Sequence, residues 1–114
     1  MRKTAAIAAL VLALAAGSPG AHAGYISDRS WNRLAECEAG GRWGLVTSGN
    51  GYYFVFQFTR ATWNAYRGSY PRVRYYLRRA TAPSKYRLKR VAHRVQHAHG
   101  WGAWPYCASK LGMR

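Results

Sequence analysis

Three carboxylates stand in this 114-residue chain, Asp28, Glu36 and Glu38, and acid–base chemistry that needs a carboxyl must use one of them. Helical spacing keeps them apart. Glu36 and Glu38 are two residues apart and point roughly 200° away from each other around a helix. Asp28 lies nearly three turns earlier, where a negative charge caps or complements the helix start. A facing pair of carboxylates, the usual equipment of glycoside cleavage, is therefore excluded, and a single committed carboxyl remains. Glu38 is the candidate, weighed against the plainer reading of a surface glutamate with no role. It shares a helical face with Trp31, Leu34 and Ala35 at i, i+3, i+4 and i+7 spacing, so packing of that face desolvates it. It also falls in the last turn, at the negative end of the macrodipole. Both effects raise a carboxyl pKa toward neutrality, as a general acid requires, against the ionising pull of the many Arg and Lys.

Other constellations are weaker. His93 and His97 have i, i+4 spacing that can hold zinc, but no Glu follows His93 and no third ligand is evident. They read as solvated histidines of a basic face, and no metal or cofactor is expected. A Cys–His nucleophile would leave the second cysteine unexplained. The five tryptophans, Trp31, Trp43, Trp63, Trp101 and Trp104, read mainly as core, with one or two lining a saccharide groove.

The elements that must position Glu38 begin after a leader. Arg2 and Lys3 precede an apolar run from Ala5 to Ala16, then Gly17, Pro19 and Gly20, then Ala21-His22-Ala23. A positive start, an apolar stretch too short to span a bilayer and an A-x-A site mark a secretory signal peptide. An uncleaved anchor is the competing reading, disfavoured by the small-residue site. Residues 1–23 are thus expected to be a leader and 24–114 one exported domain with no transmembrane segment. Two cysteines in an oxidising compartment, Cys37 and Cys107, are expected to pair. Closing so long a loop stabilises by about 4 kcal/mol on the chain-entropy account.

Losing Arg2 and Lys3 with the leader leaves 16 of 18 Lys and Arg against three acids, a formal charge of +13. Such a surface attracts polyanions. Outside a cell these are the bacterial wall, its anionic polymers and lipid headgroups; an intracellular nucleic-acid partner is not expected. Extracellular nucleic-acid binding would rest only on Arg72, Arg74, Arg78 and Arg79 interleaved with Tyr70, Tyr75 and Tyr76.

Ser27 or Asp28 caps the first helix and Gly40-Gly41 stops it. Asn50-Gly51 signals a hairpin, and Tyr52 to Phe58 is aromatic and β-branched, hence extended. Thr59 caps a second helix through Tyr66, ended by Gly68. Residues 69–83 form either a short helix or an irregular loop. A longer helix starts near Pro83-Ser84, with Leu88, Val91, Ala92, Val95 and Ala98 on one face, and Gly100 ends it. Pro105 opens a last short helix running to Leu111.

The stretch Trp31-Asn32-Arg33-Leu34-Ala35-Glu36-Cys37-Glu38-Ala39-Gly40-Gly41-Arg42-Trp43 resembles the W-x-x-x-A-x-C-E-S/A-G-G-x-W opening of the resuscitation-promoting factor catalytic domain. Asn50-Gly51-Tyr52-Tyr53, Gln57-Phe58 and Thr62-Trp63 follow that family's N-G-Y-Y, Q-F and T-W elements. Val91-Ala92, then Gly100-Trp101-Gly102-Ala103-Trp104-Pro105 with Cys107, match its C-terminal signature. The similarity runs from Trp31 to Arg114. It implies an α+β, mainly α fold between c-type lysozyme and soluble lytic transglycosylase, with a short β-hairpin-like element and one disulfide, Cys37–Cys107. It implies Glu38 as the lone catalytic glutamate and peptidoglycan as substrate, cut between N-acetylmuramic acid and N-acetylglucosamine, with an association to regrowth of dormant bacteria. Thr62 would line the sugar cleft and Gln57 would match the glutamine of Q-F. Tyr52, Trp43 and His99 complete the expected substrate contacts, His99 standing where the family has a glutamine.

Departures from the family pattern bear on substrate fit. Phe54, Val55 and Phe56 replace two glycines and an aliphatic residue, and bulky side chains there would narrow or fill the cleft. His93 replaces the glutamate of V-A-E, and the region before it has exchanged acids for arginines. The expectation is a secreted, monomeric, wall-associated muralytic glycosidase of lysozyme or lytic transglycosylase type. Its product, hydrolysed or 1,6-anhydro, is left open. The alternative is a non-catalytic cationic wall- or membrane-binding protein on the same scaffold, its cleft blocked by Phe54 and Val55.

Overall fold

In the computed structural model, which describes residues 25–114, Ser27 is extended and its hydroxyl accepts the Ser30 amide, starting helix α1 (Asp28–Ala39). The leader expected over residues 1–23 lies outside the described residues. Trp31, Leu34, Ala35 and Ala39 bury one face of α1, and Gly40 ends it in the left-handed conformation at φ 63°. Three short strands follow, β1 (Thr47–Gly49), β2 (Tyr52–Tyr53) and β3 (Phe58–Thr59), paired antiparallel in the order β1-β2-β3. Asn50 and Gly51 join β1 to β2 with φ of 52° and 82°. Two positive φ values in a two-residue connection are the primed-turn geometry that Asn-Gly favours.

The run from Tyr52 to Phe58 is not one strand. Phe54 and Gln57 both adopt positive φ, 66° and 57°, and the Gln57 amide donates to the Phe54 carbonyl at 3.0 Å. This turn makes the hairpin into a three-stranded sheet and swings Phe54, Val55 and Phe56 beneath it. All three are fully buried. Phe54 meets Trp63 and Tyr76 with ring centroids 4.9 and 5.5 Å apart, while Phe56 meets Trp31 and Trp43 at 5.6 and 5.5 Å. The bulky triplet therefore builds the core and does not fill a cleft.

Thr59 is the N-cap of α2 (Arg60–Tyr66), its hydroxyl oxygen accepting the Thr62 amide. The stretch left open between helix and loop contains α3 (Val73–Arg79), which ends on Ala80 at φ 49°. Ser84 caps α4 (Lys85–His99) through the Arg87 amide. Leu88, Val91, Ala92 and Val95 of α4 are buried. Ala98, expected on the same face, is exposed together with His97 and His99, because the last turn of α4 runs past the core. A 3-10 turn (Gly100–Ala103) leads into α5 (Pro105–Lys110), which has Pro at its start.

Two buried indoles donate to backbone carbonyls: Trp104 Nε1 to Phe56 at 2.9 Å and Trp63 Nε1 to Pro71 at 2.8 Å. The Cys37–Cys107 disulfide ties the end of α1 to α5, with Cα atoms 5.8 Å apart. The fold is thus mainly helical, with five α-helices and a small antiparallel sheet among the described residues. None of these helices is long and apolar enough to cross a membrane.

Candidate active site

Glu38 sits one residue beyond the bridged Cys37, in the last turn of α1, and is half-buried. Burial raises its carboxyl above the ordinary carboxylate range, because desolvation penalises the charged form. No cation offsets this: among the described residues the one ion pair joins Lys89 to Asp28 at 3.2 Å, at the other end of α1. Cations elsewhere lie over aromatic faces, Arg79 over Tyr75 at 3.9 Å, Lys85 and Lys89 over Trp43 at 5.0 and 5.4 Å.

Glu38 opens into a depression of about 280 Å³ walled by Tyr52, Gln57, Trp104 and Tyr106. A second depression of about 400 Å³ continues from it, sharing Tyr52, Gln57, Ala103 and Trp104 and extending to Thr59, Thr62 and His99. The shared residues make the two a single groove. It runs from Glu38 at one end, between the sheet and the 3-10 turn, to α2 and the end of α4 at the other.

The groove's polar groups are held in place by local geometry. The positive φ of Gln57 turns its side chain so that Nε2 donates to the Phe54 carbonyl at 3.0 Å and Oε1 accepts from the Ser48 hydroxyl at 2.9 Å. Thr59 Oγ1 donates to Thr62 Oγ1 at 2.9 Å, leaving the Thr62 hydroxyl proton free to donate onward. His99 Nε2 and the Tyr66 hydroxyl are 2.7 Å apart, fixing the imidazole at the far end.

Five expected site residues, Glu38, Tyr52, Gln57, Thr62 and His99, thus converge on one groove. Trp43 does not join them. Its ring packs edge-on against Phe56 with two lysines over its face, and it lines neither part of the groove. The tryptophan that does line it is Trp104, with Tyr106 as the wall beside Glu38. The sequence places Tyr106 in the short terminal helix and Trp104 among tryptophans that read mainly as core, with no local signal that either lines the groove. Glu36 and Asp28 face other depressions, so Glu38 is the one carboxyl of the groove. Among the described residues no three His, Cys, Asp or Glu side chains gather closely enough to hold a metal ion.

The transglycosylase-like domain family matches residues 26–107 of the chain. Resuscitation-promoting factor Rpf1 of Corynebacterium glutamicum is 43% identical over 86 residues, covering 75% of this chain and 42% of its own length. Resuscitation-promoting factor Rpf of Micrococcus luteus is 44% identical over 85 residues, covering 74% of this chain and 34% of its own. Resuscitation-promoting factor RpfC of Mycobacterium tuberculosis is 37% identical over 112 residues, 97% of this chain and 72% of that protein. The chain therefore spans less than half the length of the first two.

Proposed function

The chain belongs to the transglycosylase-like domain family and to the resuscitation-promoting factors, and from that membership we propose that it is a secreted, wall-associated glycosidase that cleaves peptidoglycan between N-acetylmuramic acid and N-acetylglucosamine. Glu38 is its single catalytic carboxyl. The observation that carries this reading is one desolvated carboxyl, without a cationic partner among the described residues, at the end of a groove lined by polar and aromatic side chains.

Glu38 begins protonated and donates to the glycosidic oxygen. The bond from that oxygen to the anomeric carbon breaks, its electron pair leaves with the oxygen, and the muramyl ring becomes oxocarbenium-like. The resulting Glu38 carboxylate then takes a proton from one of two nucleophiles. If it is the ring's own 6-hydroxyl, whose oxygen bonds the anomeric carbon, the product is a 1,6-anhydro end. If it is water, the product is the reducing sugar. Trp104, nearly all of it buried, adds an apolar edge to the groove, while Gln57, Thr62 and His99 offer polar contacts to the sugar substituents. The surplus of Arg and Lys holds the enzyme to anionic wall polymers in a salt-sensitive way.

The alternative of a non-catalytic cationic protein rested on charge and on Phe54 and Val55 blocking the cleft; both are core residues, which leaves charge alone in its favour. Clearing of purified wall suspensions, with mass spectrometry of the released fragments, tests the proposal. Glu38→Gln is expected to abolish release of both product types. Release that persists in Glu38→Gln and disappears at high salt overturns the enzymatic reading in favour of cationic disruption.

A further inference from the structure

A second cavity, of about 760 Å³ and larger than either part of the groove, lies between α1 and α5 on the side of α1 facing away from Glu38. Its apolar lining comes from Leu111, the disulfide-bonded Cys37 and Tyr106. Its rim is cationic. Arg29, Arg33 and Lys110 are all exposed there, and Lys110 Nζ stands 5.8 Å from the Tyr106 ring centroid. Glu36 subtracts one charge and leaves the rim at a net of two positive. Nothing in the cleavage of a sugar chain uses this cavity.

Tyr106 lines both this cavity and the Glu38 end of the groove, so the two are neighbours across one side chain. That adjacency matters because of what the substrate carries. The N-acetylated sugars of a glycan strand are uncharged, but the muramyl ring at the scissile bond bears a lactyl-linked peptide with free carboxylates, amides and small apolar side chains. Of the residues that wall the Glu38 end, Tyr106 is the one that also lines the cavity, so a stem leaving a ring held at Glu38 reaches the cavity by crossing Tyr106. We infer that the cavity between α1 and α5 binds the peptide stem of the muramyl unit being cut. Carboxylates of the stem meet Arg29, Arg33 and Lys110, and its methyl groups cover the apolar lining at Cys37 and Leu111. This rests on the groove being a peptidoglycan cleft and adds to it a site for the charged half of the substrate.

The test compares two substrates, glycan strands carrying their stems and the same strands freed of peptide by an amidase, which leaves on each muramyl ring only the short lactyl carboxylate, without the peptide that would reach the cavity. Wild type is set against the Arg29→Ala/Arg33→Ala/Lys110→Ala triple variant, whose three positions are exposed and outside the groove. Losing three exposed charge contacts should raise KM for the stem-bearing strand about fivefold to tenfold. The peptide-free strand should be cut with unchanged KM and kcat, which also shows that the variant is folded. Equal weakening on both substrates would make the three cations a general polyanion patch and overturn the stem site, as would no change on either. Wild type that cuts neither substrate removes the cleft itself, and the stem site falls with it.

Discussion

Replacing both Cys37 and Cys107 with alanine should damage stability and catalysis together, and the two losses can be separated. The bridge spans 70 residues of sequence, most of the described domain. Opening it returns that loop's entropy to the unfolded chain, which is worth about 4 kcal/mol. A domain near this size carries roughly 5–15 kcal/mol in total, so the variant should still fold, but marginally. At about 4–8 °C per kcal/mol, the melting midpoint should fall by about 20 °C. The catalytic loss has a different origin. Cys37 is the covalent neighbour of Glu38 and Cys107 follows Tyr106, so the bridge holds the acid against the groove wall. An ångström of misplacement can reduce rate by about a hundredfold, and kcat on purified walls should drop about tenfold at a temperature where the variant is still folded. Wild type held in reductant should match the double variant. Circular dichroism melts and turbidity assays measure both effects. A midpoint shift below about 5 °C would refute the loop-entropy account. Full kcat in a folded, unbridged protein would refute the positioning account.

The pH dependence follows from Glu38, whose carboxyl burial raises. Activity should fall as pH climbs through that raised pKa, and a kcat profile rising steadily on the basic side would contradict the acid role. A carboxyl whose pKa is higher folded than unfolded holds its proton more tightly when folded. Its contribution to stability is therefore full at low pH and lost as pH rises through the folded value. Glu38→Gln, which carries no charge at any pH, should gain in melting temperature over wild type as pH rises from acid to neutral; a gap that narrows instead would reverse the assignment. Gly41→Ala tests the helix exit. Gly41 has φ of 70°, and an added Cβ would lie 2.6 Å from Glu36 Oε1, the far end of an exposed side chain able to swing aside. The cost, about 1 kcal/mol, should come from the backbone, and complete rescue of the melting temperature by Glu36→Ala would show crowding to be the cause.

Periodicity and capping chemistry carried most of the helical frame. Thr59 caps the helix assigned to it, Ser27 and not Asp28 caps the first, and Ser84 caps the helix expected to start near Pro83-Ser84, because an N-cap is satisfied by amides three residues away and needs no distant partner. The face of Glu38 was legible for the same reason: a helix of known start fixes which residues share a side. Asn50-Gly51 announced its turn through the backbone it tolerates. None of this information is long-range. The destination of Phe54, Val55 and Phe56 was not legible, since it depends on positive φ at Phe54 and Gln57, two residue types that rarely adopt it. Tertiary contacts hold that turn, with Trp63, Tyr76 and Trp31 receiving the rings and Trp104 binding the Phe56 carbonyl across 48 residues of sequence. The same long-range packing turned Trp43 away from the groove and brought Trp104 and Tyr106 to it. A side chain's direction in a non-repeating segment is set by what closes over it, and local sequence holds no record of that until the chain has folded.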